Sequence, residues 1–330
     1  TEQPAESSGS KELSVYTAFP ESEVIYYFNK FEQETGIKIN YVRLSAGEML
    51  TRVEAEKDNP QATLMFGGST DNYIAAVDKG LLEAYQSPNL SKTPDTYLDP
   101  TGTWNPIYVG CIAFACNADW FAEKGLEYPT SWEDLLKPEF KGEIIMAHPA
   151  TSGTAYTVLA TLVQLKGDDQ VWDYLEKLNT NMSQYTKSGS GPSKKVGIGE
   201  CVIAIGFLHD GITQILDGYD NIALIIPEEG TSFEIGSTAI FEGCAHENAA
   251  KLWIEYALSP DCVELADDAQ SYQFLVITNA QQPAVVEPFG LDPDNVMKYN
   301  FEDAKANTSK YVQDFFNALG AAADSRFKTE

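Results

Sequence analysis

The polar chemistry of this 330-residue chain is concentrated in three runs of small hydroxyl residues and glycine and in one His-Asp pair. The runs are Gly67-Gly68-Ser69-Thr70, Thr151-Ser152-Gly153-Thr154 and Ser188-Gly189-Ser190-Gly191-Pro192. Each precedes a segment of helical character. Hydroxyls at a helix start leave backbone N–H groups and a partial positive charge available to an anion. Ser or Thr at such a position also caps its own helix, so one run alone would carry little. Three of them point to a shared cleft. None is a Walker loop, which requires Gly-Lys-Ser/Thr after four spacers.

His209-Asp210 follows the apolar run Ala204-Ile205-Gly206-Phe207, where a side chain at a strand's carboxyl end is placed to act. As a hydrolytic dyad the pair is poorly built, because adjacent residues seldom face each other. Each is better suited to a separate ligand group, or Asp210 caps the helix that follows. Glu228-Glu229-Gly230-Thr231, with Glu234 soon after, supplies carboxylates that accept bonds from sugar hydroxyls or ligate a metal. A solvated turn is the simpler role for Glu228. His148 sits near the Ser152 run, lining a cleft or capping, and His246 lies in a surface turn. With no Gly-x-Ser-x-Gly elbow and no His-Glu-x-x-His pair, an enzyme is the weaker hypothesis.

Charge narrows the partners. With 22 basic and 49 acidic residues the net charge is −27, which repels nucleic acid and anionic lipid. The most basic short run is Lys194-Lys195, too little to reverse that field. No stretch approaches the ~18 apolar residues of a membrane helix. Residues 1–10 are polar and breaker-rich and read as a flexible linker, either what remains once a leader is removed or a natural disordered N-terminus. The cysteines 111, 116, 201, 244 and 262 form no CxxC spacing, so they read as structural, with at least one unpaired in a monomer.

The elements that must position these residues alternate. Strands are expected at 13–16, 37–41 and 63–66, with a helix that carries the stripe Val24, Tyr27, Phe28 and Phe31 and is capped at Gly36, and helices at 48–57 and 71–79. A second series has strands at 109–116, 143–147, 182–186, 201–207, 222–226 and 237–241. Its helices lie at 132–136, 154–165, 169–178, 211–216 and 247–258, and the last third reads as helical and acidic. A β-α-β-α pattern implies mainly parallel sheets, with ligands bound at the carboxyl ends of strands. The loops there are 17–19, 45–47, 67–70, 151–154, 188–192 and the region of His209, nearly all Ser, Thr or Gly. That composition suits backbone donors rather than a general acid or base.

Leu13-Ser14-Val15-Tyr16-Thr17-Ala18, Phe31-Glu32-Gln33-Glu34-Thr35-Gly36-Ile37 and Gly80-Leu81-Leu82-Glu83-Ala84-Tyr85 resemble the ABC-transporter solute-binding proteins. So do Pro129-Thr130-Ser131-Trp132-Glu133-Asp134-Leu135-Leu136 and Phe140-Lys141-Gly142, with the spacing of the ferric-binding-protein-like, type II branch. The resemblance implies an α/β two-lobed clamshell with two crossover strands. Residues 11–110 and 238–290 would form lobe I, and 111–237 with 291–330 lobe II. It implies a monomeric extracytoplasmic receptor, with a lipid anchor as a family expectation, that passes its solute to a membrane permease. No cofactor, resident metal or nucleic acid is called for.

Iron binders of this branch carry paired tyrosines after the strand equivalent to 201–207, whereas this chain has Leu208-His209-Asp210. His-Asp followed by an acidic Glu-Gly-Thr segment is similar to the hexose-phosphate-binding members. The implied ligand set is Thr17, Ser45, Gly68, Ser69, Ser152, Gly153, Thr154, Ser188, Ser190, His209, Asp210 and either Glu229 or Glu234. Phosphonate, 2-aminoethylphosphonate in particular, and ferric-iron receptors remain alternatives within the fold. A phosphatase-like enzyme is the alternative outside it.

Overall fold

The computed structural model describes residues 11–44, 46–289 and 299–328, so the linker assigned to residues 1–10, the ligand contact assigned to Ser45 and the lobe limit at 290 lie outside the described residues. The chain forms two compact units, Thr1–Val109 with Ile235–Ala284 and Gly110–Glu234 with Val285–Glu330.

The first unit begins with β1 (Glu12–Thr17), α1 (Glu21–Thr35), β2 (Lys38–Arg43), α2 (Ala46–Ala55), β3 (Leu64–Ser69) and α3 (Thr70–Asp78). Strand β1 pairs in parallel with both β2 and β3, as the alternating pattern requires. Helix α1 buries Val24, Tyr27, Phe28 and Phe31, the stripe read at i, i+3, i+4 and i+7, and Gly36 closes it in a left-handed conformation.

Strand β4 (Asn105–Asn117) carries the chain into the second unit and starts four residues before the expected 109. Asn105-Pro106 reads as a turn signal. Instead Asn105 is fully buried, its side chain accepting from the Ser87 N–H and donating to the Tyr85 carbonyl. There follow α4 (Ala118–Lys124), β5 (Ile144–Ala147), α5 (Gly153–Lys166), α6 (Asp168–Asn181), β6 (Met182–Thr186), α7 (Gly191–Gly197), β7 (Ile203–Phe207), α8 (Leu208–Leu216) and β8 (Ile222–Ile225). Strand β5 lies between β6 and β7, parallel to both, while β7 and β8 pair antiparallel with β4. Each of β5, β6 and β7 therefore delivers its carboxyl end to a helix start.

Helix α8 begins at Leu208, three residues before the expected 211. Gly211 reads as a helix boundary but serves packing: a Cβ there would lie 2.4 Å from Leu224 Cδ2. His209 and Asp210 consequently occupy the first helical turn, and Phe207, not Asp210, is the residue that precedes the helix.

Strand β9 (Phe233–Ile240) returns the chain to the first unit and pairs antiparallel with β3. Its start, four residues before the expected 237, follows the burial of Phe233 and Ile235 on either side of half-buried Glu234. Then come α9 (Glu247–Ala257), α10 (Pro260–Val263), α11 (Ala266–Ala269) and β10 (Phe274–Leu275), and in the second unit α12 (Phe301–Ala306), α13 (Thr308–Asp324) and β11 (Phe327–Lys328). The last third is thus less helical than expected, because 271–289 contain only β10 and one 3-10 turn. Trp253 of α9 is fully buried and meets Phe28, Phe31 and Phe66 edge-on, at 5.0–5.2 Å between ring centroids. Such contacts add to the burial of the rings themselves. Strand β11 pairs in parallel with β6 and ties the end of the chain to the second unit.

Candidate functional site

In the second unit the loops following β5, β6 and β7 converge. Ser152 caps α5, its hydroxyl accepting the Ala155 N–H at 3.3 Å. Thr154, half-buried in the first turn, lies against Gly189 of the next loop: a Cβ at 189 would stand 2.2 Å from Thr154 Oγ1 and 2.9 Å from Ser152 Oγ. That approach requires a residue without a side chain. The Thr151 hydroxyl donates to the carbonyls of His148 and Lys187, and the Thr186 hydroxyl donates to the carbonyl of Ser188. Ser188 and Ser190, both exposed, have their hydroxyls 3.1 Å apart. Gly153 is exposed as well. The Ser152–Thr154 and Ser188–Ser190 runs therefore form one cluster.

The cluster continues toward the carboxyl end of β7, an interior strand paired with β5 and β4. A Cβ on Gly206 of β7 would lie 3.6 Å from the Gly189 carbonyl oxygen, which places the loop against the end of β7. Beyond that end, the His209 ring stacks on Phe207, with centroids 5.1 Å apart and planes 15° apart. Gly110 of β4 approaches the other components, since a Cβ there would meet His209 Cε1 at 2.8 Å and Glu234 Cγ at 3.5 Å. His209, Gly110 and Glu234 are thus neighbours. Burial holds the His209 imidazole down at about 4, below the usual histidine range, so the ring is neutral at physiological pH. Helix α8 has no side-chain cap, and Asp210 sits in its first turn where the helix dipole favours a carboxylate.

Glu229 stands apart from this row. Its exposed carboxylate accepts the Trp132 N–H at 2.9 and 3.2 Å, anchoring the segment around a fully buried Trp132. Between the two glutamates that compete in the sequence, only Glu234 neighbours Gly110 and His209. Glu229→Ala should lower the unfolding midpoint by a few degrees, for a loss of about 1–2 kcal/mol, and leave solute affinity unchanged. Titration of the folded variant checks this; a tenfold affinity loss would place Glu229 at the ligand.

In the first unit Thr17 is fully buried, its hydroxyl donating to the Phe66 carbonyl and accepting the Phe19 N–H. It locks the turn after β1. Gly67 and Gly68 both take positive φ within β3, +78° and +85°, and a Cβ on Gly67 would strike the Phe19 ring at 2.6 Å. Ser69, half-buried, precedes α3 and accepts a bond from the Asn72 amide. One polar group here escaped sequence reasoning. Glu23 of α1 accepts a bond from the Ser271 hydroxyl, and burial pushes its carboxyl up to about 7. Nothing in the spacing of a first-turn glutamate signals this.

His148 neither lines the site nor caps a helix with its side chain. It is buried beside the rings of Tyr185, Phe315, Phe316 and Phe327, and its Nδ1 accepts the Ala150 N–H at 3.2 Å. His246 is exposed at a left-handed position. All five cysteines are free; Cys244 is half-buried and the other four are buried, with the Cys111 thiol pushed up to about 12 by burial.

The sequence profile of the family described as "Bacterial extracellular solute-binding protein" matches residues 69–306. The chain belongs to this family. It is an extracytoplasmic solute-binding protein of the ABC-transporter class with the type II fold. An uncharacterized protein of Haemophilus influenzae is 37% identical over 298 residues, 86% of this chain and 85% of that one. The periplasmic binding protein AfuA from Actinobacillus pleuropneumoniae, solved with exogenous fructose-6-phosphate bound, is 34% identical with a TM-score of 0.84. The match covers 95% of this chain and 99% of that one. A putative 2-aminoethylphosphonate-binding periplasmic protein of Salmonella typhimurium is 28% identical over 190 residues, 57% of this chain and 53% of that one. The family and the structural neighbour AfuA are binding proteins of transporters, not enzymes.

Proposed function

We propose that this receptor captures a hexose phosphate for an ABC permease, with Ser152, Gly153, Thr154, Ser188 and Ser190 at the phosphate and His209, Asp210 and Glu234 at the sugar. The observation that carries the reading is the continuous row from the α5 start, through Gly189 and Gly206, to His209, Gly110 and Glu234. Anion donors stand at one end and hydroxyl partners at the other. The likeness to AfuA, whose structure holds fructose-6-phosphate, supports the same ligand class.

Electrostatics fit this division. A protein of net charge −27 repels a phosphate at long range, so capture must come from local dipoles. The α5 start and its neighbouring hydroxyls provide them without a formal charge. Asp210 and Glu234 accept from hydroxyls, and a ligand lacking those hydroxyls forgoes these charge-assisted bonds. In the first unit, Thr17 shapes the turn after β1, its hydroxyl already engaged by Phe66 and Phe19. The phosphonate reading has its own support in the Salmonella relative, over about half the chain.

Thermal unfolding of chelator-treated protein separates these ligands. At 100 times its dissociation constant a ligand adds about 2.7 kcal/mol, a midpoint rise of roughly 5 °C. Glucose 6-phosphate or fructose 6-phosphate should produce that rise, and the unphosphorylated hexose should not. Stabilisation by 2-aminoethylphosphonate or ferric citrate alone would overturn the ligand class.

A further inference from the structure

Gly110 and Phe207 are not polar, and neither would be expected to matter for solute recognition. Yet they bracket the one imidazole of the proposed site. Phe207, at the end of β7 and 6% exposed, presents its ring flat against His209, centroid to centroid at 5.1 Å. Gly110, on β4, faces the Cε1–Nδ1 edge of the same ring. A Cβ at that position would stand 2.8 Å from Cε1 and 3.0 Å from Nδ1, closer than real Cβ contacts allow. Gly110 does not have a positive φ, so no backbone strain asks for glycine there. The missing side chain is required by the ring.

His209 Nδ1 is buried and has no hydrogen-bond partner. What it faces is the backbone of Gly110, whose Cα hydrogens offer only weak contacts to a lone pair. An N–H at Nδ1 would be a buried donor with no acceptor, the kind of orphan that folded proteins rarely keep. The proton therefore belongs on Nε2. We propose that Gly110 and Phe207 form a slot that holds His209 as a neutral, Nε2-protonated hydrogen-bond donor, and that both are positioning residues for solute recognition. The recognition half of this inference rests on the hexose-phosphate reading above; the slot itself does not.

The slot has a chemical consequence. A neutral donor contributes direction rather than charge, so His209 discriminates by where an acceptor oxygen lies. The charged groups near the ring are the carboxylates of Glu234, across Gly110 on β9, and of Asp210, next to it on α8. Both would favour a charged imidazole, and desolvation in the slot opposes them. The ring's pKa at about 4 is in accord with the desolvation.

Imidazole titration by heteronuclear NMR of the unliganded protein tests the slot without reference to any solute. In the wild type the His209 signals should show the Nε2–H tautomer and stay unprotonated from pH 8 down to about 5. Gly110→Ala should push the ring toward solvent and move its titration midpoint toward the ordinary ~6.5. Phe207→Leu, which keeps apolar bulk at the end of β7, is the second variant and should shift the midpoint the same way. A wild-type ring that titrates near 6.5, or carries its proton on Nδ1, overturns the slot. Both variants should also weaken fructose 6-phosphate at least tenfold at pH 7.5, more than they weaken inorganic phosphate. Titration shifts with unchanged affinity for both ligands would overturn the recognition half. Wild-type protein that ignores hexose phosphates but shows the neutral ring would instead count against the ligand reading and leave the slot standing.

Discussion

Replacing Gly189 with alanine should reduce affinity for a hexose phosphate and for inorganic phosphate together, by on the order of 100-fold, equivalent to about 2.7 kcal/mol. The reason is geometric. The added methyl would stand 2.2 Å from Thr154 Oγ1 and 2.6 Å from Thr154 Cβ, and the second of these atoms is fixed to the α5 backbone. Either the 188–190 loop moves outward or the first turn of α5 does. In both cases the hydroxyls and N–H groups proposed for the phosphate no longer converge, and small misplacements of preorganised donors are costly. Gly189 does not have a positive φ, so alanine is compatible with its backbone. The unfolded chain loses freedom with alanine, which offsets part of the strain. Loss of binding with a midpoint shift of only a few degrees, read by calorimetric titration and thermal unfolding of one preparation, is the expected pattern. Full affinity in a folded variant would move the phosphate elsewhere.

Asp210→Ala should divide the two ligands that Gly189→Ala affects together. Asp210 occupies the first turn of α8 beside His209, in a row that ends at Glu234. As a sugar contact its carboxylate accepts hydroxyl bonds, and losing bonds to a charged group costs about 1.5–3 kcal/mol. Affinity for hexose phosphate should fall by roughly 10–150-fold while inorganic phosphate is nearly unaffected. Its favourable position in the α8 dipole adds about 0.3–1 kcal/mol to stability, so a small drop in the midpoint accompanies the change. Equal losses for both ligands would place Asp210 at the phosphate and refute the sugar role.

How far these residues were legible in the sequence depends on the kind of signal each carries. Alternation and the i, i+3, i+4, i+7 stripe identify the kind and order of every element from β1 to α3, with ends displaced by a few residues, because burial on one face imposes its own period. The resemblance in the 13–18, 31–37, 80–85 and 129–142 segments leads to the family that the profile match shows. Misread positions share a cause: turn-forming residues used for packing. Gly211 accommodates Leu224, and Asn105-Pro106 continues a strand through side-chain bonds of Asn105. A glycine that serves a neighbour's side chain looks the same in sequence as one that serves a turn. The same blindness left Glu229 and Glu234 undivided, since their roles follow from Trp132 and Gly110, which lie about a hundred residues away in the chain. His148 reads as a cleft or capping residue from its position before the Ser152 run. Only the packing of α13 and β11 around it shows that it is enclosed among aromatic rings.

Calorimetric titration of the unmodified, ligand-free protein with fructose 6-phosphate, fructose and inorganic phosphate tests the central claim most directly. The account predicts one-to-one binding of the hexose phosphate, with fructose and inorganic phosphate each at least 100-fold weaker, because each engages one end of the row only. Inorganic phosphate binding as tightly as the hexose phosphate, or no binding of the hexose phosphate at all, would contradict it.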